Sequence, residues 1–308
     1  MHTILGAGGV IANNLAKELL KGQETLRLVS RKPHALPGTE IIAADLTDGQ
    51  QAMKAVKGSK VVYLCVGLPY DFSIWRKQWP KIMDNVIDAC KESKAKLIFF
   101  DNVYMYGKVD GWMTEETPYN PVSRKGDLRA RIATQVMSEV RKGNITATIA
   151  RSADFYGPDA AKTSIPNLLV FENLSKDKKA QWIANANVRH SLTYTVDAAK
   201  SLYLLAKNDQ SWNQVWHLPT DHHPITGSEL ISAAANGLGK KDGYTLIRPW
   251  MLKLSGLFNR TVSELYEMVY QQQFEYLFDS TKFERAFNYT PVSYQQGIAE
   301  IAAHYKNK

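Results

Sequence analysis

The chain has 308 residues with 44% hydrophobic and 22% charged side chains, the composition of a globular protein long enough for one large or two coupled domains. Its apolar runs fall well short of the roughly 20 residues that a membrane-spanning helix needs. No Cys/His group has the spacing of metal ligands. We therefore expect no metal and no membrane partner.

The formal net charge of +8 would suit an anionic ligand. The lysines are scattered, however, for example at 176–179 and 240–241, and aromatic residues do not interleave with them as on a nucleic-acid surface. We therefore expect no nucleic-acid partner. The two cysteines, Cys65 and Cys90, lie in apolar stretches, as reduced core residues do. No signal-peptide pattern precedes the first strand, so we expect a cytoplasmic protein.

The first 22 residues predict a strand, a glycine-rich turn and a helix. The small residues follow the pattern GxxGxxA, in which Gly6 allows a sharp turn, Gly9 lets a diphosphate approach the backbone and Ala12 lets the helix pack on the sheet. A tight turn without a ligand is the alternative, but the strand–turn–helix context favours dinucleotide binding at the helix N-terminus. The predicted cofactor contacts here are Gly6, Gly8, Gly9, Val10 and Ile11.

The end of the second predicted strand, 25–29, is the place that normally selects between NAD and NADP. A carboxylate there binds the ribose 2′-hydroxyl of NAD, whereas arginine favours the 2′-phosphate of NADP. Here the strand is followed by Ser30, Arg31 and Lys32, with no Asp or Glu. The two cations are either exposed loop charges or phosphate ligands, and their position favours NADP(H) as the cofactor.

Strands and helices alternate through the first half of the chain. We predict further strands at 40–44, 60–66, 96–100 and 145–150, and helices at 48–57, 73–92 and 122–142. This alternation predicts an α/β fold, a Rossmann-like, doubly wound parallel sheet with helices on both faces. Cofactors lie at the carboxyl ends of such strands, so Cys65, Val66 and Gly67 are further predicted cofactor contacts.

Beyond residue 151 the alternation is less regular. A helix is predicted near 164–175, an extended stretch at 190–194, a helix at 195–207 and a strand at 214–218. Thr226 and Glu229 form a capping-box pattern that opens another helix. The C-terminal part is mostly helical and aromatic-rich. We predict an NADP-binding domain at 1–155 and 190–222, and a smaller, mostly helical substrate-binding domain at 156–189 and 223–308.

Several motifs then occur in a fixed order: Gly6xxGly9xxAla12, Asp45-Leu46, Val103–Gly107, Arg151–Pro158, Thr195–Ala199, and the tail Asp279–Phe283 with Pro291 and Gly297. In these motifs the chain resembles the extended and atypical short-chain dehydrogenase/reductases, the NAD(P)-dependent epimerase/dehydratase group, over essentially its whole length. The resemblance implies a bound dinucleotide with Asp45 and Leu46 on its adenine side. It also implies oxidoreductase or epimerase chemistry on a small molecule.

The active-site motif departs from the pattern of that family. The family carries Ser or Thr five residues before the glycine of its Tyr-Gly pair, and this chain has Asn102. The family also carries Tyr and, four residues later, Lys after a Pro-x-Ser-like segment, here 121–123, where this chain has Lys125 and Arg129. The missing Tyr-x-x-x-Lys resembles an atypical subgroup with a degenerate tetrad, and it leaves open whether the protein is an enzyme.

Four residues are the catalytic candidates. Lys125 and Arg129 share one face of the predicted helix. A lysine there can act as general acid or base, while Arg129 can hold the nicotinamide ribose. Asn102 can hydrogen-bond a substrate carbonyl. If the fifth strand continues towards Gly107, Tyr104 faces the same side as Asn102 and is the best alternative proton donor.

Tyr70 and His190 are the predicted substrate residues. His190 stands seven residues before Asp197, where sugar-nucleotide epimerases often carry a diphosphate-binding arginine, which argues against a sugar-nucleotide substrate. Two functions remain. One is an NADPH-dependent oxidoreductase or epimerase acting on a small carbonyl or hydroxyl substrate. The other is a non-catalytic NADP(H)-binding sensor or regulator. A homodimer is among the expected assemblies.

Overall fold

The computed structural model describes residues 1–160 and 163–307. Its strands are, in chain order, β1 His2–Leu5, β2 Leu26–Ser30, β3 Thr39–Ala43, β4 Val61–Leu64, β5 Lys96–Asp101, β6 Trp112–Met113, β7 Ala147–Arg151, β8 Asp154–Tyr156, β9 Ala180–Ile183, β10 Arg189–His190, β11 Leu192–Tyr194, β12 Val215–His217, β13 Ile225–Thr226, β14 Tyr244–Ile247 and β15 Leu277–Phe278.

The helices are α1 Val10–Lys21, α2 Gly49–Val56, α3 Phe72–Ser93, α4 Arg124–Arg141, α5 Glu172–Ser175, α6 Thr195–Lys207, α7 Gly227–Leu238, α8 Pro249–Gly256, α9 Arg260–Tyr266, α10 Tyr270–Gln273, α11 Thr281–Phe287 and α12 Tyr294–Lys306. Two 3₁₀ turns lie at Tyr104–Tyr106 and Asp209–Ser211, and a π-helical turn lies at Asn167–Phe171.

A seven-stranded sheet in the order β12-β7-β5-β4-β1-β2-β3 is the central sheet of the fold. The ladders that join β7 through to β3 are all parallel. The chain winds outward from β1 through β2 and β3 on one side, and from β4 through β5 and β7 on the other. The predicted Rossmann-like, doubly wound α/β fold is confirmed. Its topological switch point lies between β1 and β4, where ligands bind in such sheets.

The two central strands of this sheet need helices on both faces because they are buried along their whole length. Every residue of β1 and of β4 is buried, as in parallel strands covered on both sides. The predicted apolar stripe of α3 is also buried, and it includes Trp75, Trp79, Met83 and Val86. These side chains form core, in agreement with the sequence pattern.

Contacts divide the chain into two compact units. The first comprises Met1–Met105, Arg124–Arg151 and Ala198–Trp216, and the second comprises Tyr106–Ser123, Ser152–Asp197 and His217–Lys308. In the second unit, α7 and α12 contribute buried residues to one core, including Leu230, Ile231, Ile298 and Ile301. The predicted capping box of Thr226 and Glu229 opens α7, and the segment from α7 to α12 is mostly helical, as expected. The division into a cofactor and a substrate domain stays a prediction.

One sequence expectation is wrong at the end of the fifth strand. β5 ends at Asp101 and does not continue towards Gly107. The side-chain oxygen of Asn102 accepts a hydrogen bond from the backbone N–H of Tyr104 at 3.1 Å, and this local turn competes with strand pairing. Tyr104 therefore begins a 3₁₀ turn. The alternation argument that placed Tyr104 beside Asn102 does not apply.

Candidate active site

The glycine turn after β1 is shaped by a close approach of two backbones. Gly6 has φ +97°, and a Cβ added to it would lie 2.7 Å from the backbone N and Cα of Val66. Gly8 also has a positive φ of +101°. Both conformations favour glycine, and any side chain at Gly6 would collide with the segment that follows β4.

The N-terminus of α1 fits a diphosphate. The N-cap residue is Gly9, whose backbone is extended. Because glycine has no side chain, no side-chain oxygen caps the first N–H groups, and residues 10–13 include no acid. Gly8 and Gly9 are exposed, and among the described residues the nearest contact of a Cβ added to Gly9 would be the oxygen of Gly6 at 3.7 Å. The first N–H groups of the helix and its positive end are thus left for an anion.

The loops after four neighbouring strands begin at one edge of the sheet. The N–H of Gly6 donates to the carbonyl of Val29 at 2.9 Å, and the N–H of Cys65 donates to that of Leu5 at 2.8 Å. The N–H of Ala44 donates to the carbonyl of Ser30 at 3.0 Å. This edge holds the other predicted cofactor residues, namely Ser30, Arg31, Lys32, Asp45, Leu46, Cys65, Val66 and Gly67.

The predicted adenine side carries two cations and one carboxylate. Arg31 and Lys32 directly follow β2 and are exposed. The carboxylate of Asp45 accepts hydrogen bonds from the backbone N–H and the hydroxyl of Thr47, at 2.9 and 2.8 Å. These bonds hold the pKa of Asp45 below its ordinary value, and the charge of Arg31 acts in the same direction. Asp45 is therefore ionised at neutral pH.

Cys65 can take part only as an uncharged group. Burial raises the pKa of its thiol to about 12. At neutral pH the sulfur is therefore protonated and is not a nucleophile. Its place in the site is through the backbone segment Cys65–Val66, which the turn at Gly6 approaches.

Arg129 forms a buried ion pair that the sequence pattern did not reveal. Its Nε donates to Oδ1 of Asp101 at 2.8 Å, and Nη2 donates to the same oxygen. Its guanidinium also lies over the rings of Trp79 and Phe99, at 4.4 and 4.9 Å from their centroids. Both charged side chains are buried. Its predicted contact with the nicotinamide ribose stays a prediction.

Lys125 is fully buried, with 0% of its surface exposed. Its Nζ lies 4.7 Å from the ring centroid of Tyr70, a cation–π contact. Tyr70 meets Trp75 edge-on at 5.8 Å, and the ring of Trp75 stacks on that of Tyr104 at 6.4 Å and 10°. We call Lys125, Tyr70, Trp75 and Tyr104 the lysine–aromatic cluster. It joins three residues that the sequence predicted separately.

Asn102 directly follows β5 and lies in sequence between Asp101, a member of the ion pair, and Tyr104. Its backbone N–H donates to Oδ1 of Asp101 at 2.8 Å. Its side-chain oxygen accepts from the N–H of Tyr104, so its amide NH₂ is the group that can donate to a ligand. The side chain is half-buried. The predicted recognition of a substrate carbonyl by Asn102 stays a prediction.

His190 lies in the second compact unit. Its Nε2 is 3.0 Å from Oδ2 of Asp154, and its ring stacks on Tyr276 at 4.4 Å and 11°. The side-chain nitrogen of Gln272 donates to the same carboxylate oxygen at 3.3 Å. The sequence analysis did not name Asp154 as a site residue. Its position inside the motif 151–158 is the sequence feature that could have indicated it. The substrate role of His190 stays a prediction.

Within 1–160 and 163–307, no three His, Cys, Asp or Glu side chains are grouped so that they could hold a metal ion. Among the helices of this described part, none combines the length and the apolar character needed to cross a bilayer.

A family model described as the NAD dependent epimerase/dehydratase family matches residues 2–217 of this chain. This match covers the sheet, the glycine turn and the lysine–aromatic cluster. The chain belongs to that family. The resemblance predicted from the spaced motifs is thereby confirmed. Members of the family use NAD(P), so the glycine turn should fit the diphosphate of that cofactor. The helix N-terminus without a side-chain cap and the open space at Gly9 fit its diphosphate.

Solved structures of the epimerase/dehydratase family share the fold over nearly the whole chain. The UDP-glucose 4-epimerase of Thermus thermophilus, in complex with NAD, superposes with a TM-score of 0.80 and 16% identity, covering 99% of each chain. The dTDP-glucose 4,6-dehydratase DesIV of Streptomyces venezuelae, with NAD bound, gives a TM-score of 0.80 and 16% identity, covering 100% of this chain and 97% of its own. At this identity the likeness concerns the fold.

A curated relative is the 3beta-hydroxysteroid-dehydrogenase/decarboxylase isoform 2 of Arabidopsis thaliana, 25% identical over 301 residues. The alignment covers 84% of this chain and 50% of the Arabidopsis protein. This chain therefore spans about half the length of that relative.

Proposed function

We propose that this protein is an NADPH-dependent oxidoreductase or epimerase that acts on a small carbonyl or hydroxyl substrate, with Lys125 as its proton donor. The observation that carries the proposal is the fully buried amine of Lys125 beside Tyr70, at the start of α4. Lysine is almost never fully buried without a specific role or partner. General acids and bases are commonly held in such water-poor surroundings.

The glycine turn and α1 would hold the diphosphate of the cofactor, and Arg31 with Lys32 would hold its 2′-phosphate. When bound, NADPH supplies the hydride that reduces a carbonyl carbon. The NH₂ of Asn102 donates a hydrogen bond to the carbonyl oxygen and orients it. Lys125 transfers a proton to that oxygen and regains one from water.

The test of this function is a substrate panel offered to the purified protein, with NADPH for carbonyl substrates and NADP+ for hydroxyl substrates. The panel contains simple aldehydes and ketones, 3-hydroxysteroids and nucleotide sugars, the last two because relatives and fold neighbours are named for them. We expect reduction products of a carbonyl substrate, or oxidation or epimerisation products of a hydroxyl substrate, from at least one class, detected by mass spectrometry. A protein that binds NADPH and converts no member of the panel would contradict the proposal.

A non-catalytic NADP(H) sensor is the second candidate, and the ion pair of Arg129 favours it. The residue at the family's lysine position is held by Asp101 and two aromatic rings. A sensor would bind NADPH with the affinity of an enzyme but would show no turnover.

The first prediction concerns the diphosphate cradle. Gly9 has φ −76° and open space around its Cβ direction, so Gly9→Val is expected to leave a cooperatively folded protein. The branched side chain would occupy the space of the diphosphate, and we expect loss of measurable NADPH binding by calorimetry. Thermal unfolding serves as the folding control. Unchanged NADPH affinity in a folded Gly9→Val protein would refute the cradle.

The second prediction concerns cofactor choice. We expect NADPH to bind more tightly than NADH, and Arg31→Ala to remove most of that difference. A charged hydrogen bond of this kind contributes about 1.5–3 kcal/mol, or about ten- to a hundredfold in affinity. Lys54→Ala, an exposed cation on α2, is the matched control. Equal affinity of the parent protein for both cofactors would overturn the NADP assignment.

A further inference from the structure

Large apolar side chains are concentrated on the outer face of one short segment of the second unit. They are Trp250, Met251, Leu254, Leu257 and Phe258, which we call the apolar patch. Leu257 is 74% exposed and Phe258 is 90% exposed. Elsewhere in the described chain, exposed large apolar residues are dispersed between Ile41 and Phe274. A contiguous group of this kind marks a surface that contacts an apolar partner.

The segment that presents the patch is anchored on its inner side. Leu252 of α8 is buried in a small core with Ile183 and Val269. A Cβ added to Gly256 would lie 3.0 Å from Cα of Ser263, so α8 and α9 pack with their backbones close together. The outward direction of the patch therefore follows from the packing of this helical hairpin.

The segment that carries the patch has charges of one sign. Arg248, Lys253 and Arg260 are exposed, and the sequence from 248 to 263 has no acidic residue. The next acid, Glu264, is buried. Tryptophan, phenylalanine and leucine next to arginine and lysine form the composition of helices that lie in the interface of anionic membranes. The patch is thus complementary to a surface that has an apolar interior and a negatively charged outer layer.

A second copy of the chain fits this face less well. In a two-fold dimer the same patch meets itself, which would bring Arg248 and Lys253 of both copies to one interface, and segment 248–263 supplies no carboxylate to pair with them. Anionic lipid headgroups meet these cations with opposite charge.

We propose that the apolar patch docks the protein on the surface of an anionic phospholipid bilayer. Trp250, Leu257 and Phe258 enter the boundary between headgroups and acyl chains, and the three cations contact lipid phosphates. The sequence predicts no membrane partner because its apolar runs are too short to span a bilayer, but surface docking needs no spanning segment.

Vesicle sedimentation tests the apolar contribution. The parent protein is expected to sediment with phosphatidylcholine vesicles that contain phosphatidylglycerol, and much less with pure phosphatidylcholine. The double variant Leu257→Ser/Phe258→Ser is expected to lose about tenfold or more in vesicle affinity, because two large side chains no longer enter the bilayer. Ile41→Ser, which removes an exposed apolar residue from β3, is the matched control and should bind like the parent.

The charge contribution has its own variant. Lys253→Gln is expected to weaken binding to the anionic vesicles about fivefold, and Lys54→Gln should leave it unchanged. The proposal is overturned if the parent does not bind anionic vesicles, or if the double variant binds them like the parent. It is also overturned if ultracentrifugation shows a dimer that the double variant abolishes while vesicles capture neither protein. Binding is measured without cofactor, so these outcomes are independent of the proposed function.

Discussion

Replacing Lys125 with methionine is expected to reduce turnover by about 10²–10⁴-fold while NADPH binding is retained. The methionine side chain has a similar volume and can make a favourable sulfur–aromatic contact with the ring of Tyr70, so the fold should persist. What disappears is the only atom that lets residue 125 transfer a proton. The measurement combines steady-state rates on the substrate found in the panel with calorimetric NADPH affinity.

The competing donor in the same cluster is Tyr104, whose ring stacks on Trp75. Tyr104→Phe retains the stacking area and removes only the hydroxyl, so it is the matched variant. If Lys125 is the donor, Tyr104→Phe should remain active. A dead Tyr104→Phe protein with an active Lys125→Met protein would transfer the role to Tyr104 and contradict the lysine assignment.

The largest expected effect on stability comes from Arg129→Met. This change leaves the carboxylate of Asp101 buried without its cation, which typically costs about 3–5 kcal/mol in the free energy of unfolding. Urea unfolding measures this loss. Arg131→Met is the matched control, since Arg131 is exposed and pairs with Asp127 one turn away, a contact that contributes about 0.3–0.5 kcal/mol.

A second substitution separates the charge from the packing of Arg129. Adding Asp101→Asn to Arg129→Met removes the unpaired charge, and we expect it to restore a large part of the lost stability. A loss below about 0.5 kcal/mol in Arg129→Met, the scale of a neutral surface change, would show that the pair does not stabilise the fold. Where the variant remains folded, its NADPH affinity tests the predicted ribose contact.

The sheet and its helices were predictable because their signals are local. The buried parallel strand β4 lies in a continuous apolar run, β1 leads directly into the glycine turn, and α3 carries its buried tryptophans at helical spacing. The turn at Gly6 was also predictable, since the pattern of small residues reports a backbone conformation directly. Element ends agree within a residue or two for most of this sheet.

Other features depend on residues that are distant in sequence or on very short elements. The pairs Asp101–Arg129 and Asp154–His190 join positions 28 and 36 residues apart, and no periodicity indicates such partners. The strands β6, β8 and β15 have only two or three residues, too few for an alternation pattern. The end of β5 depends on the turn made by Asn102, whose side-chain oxygen accepts the backbone N–H of Tyr104 in place of strand pairing.

The ion pair of Arg129 also limits which residues position 129 can accept. The family's usual motif has tyrosine and lysine where this chain has Lys125 and Arg129, which looks like a difference of two residues. Lysine at 129 would offer Asp101 a point charge on a flexible stem in place of a planar fork between two rings. Restoring the family's lysine at 129 alone would therefore weaken the contacts that hold the buried carboxylate of Asp101, and we expect a less stable protein.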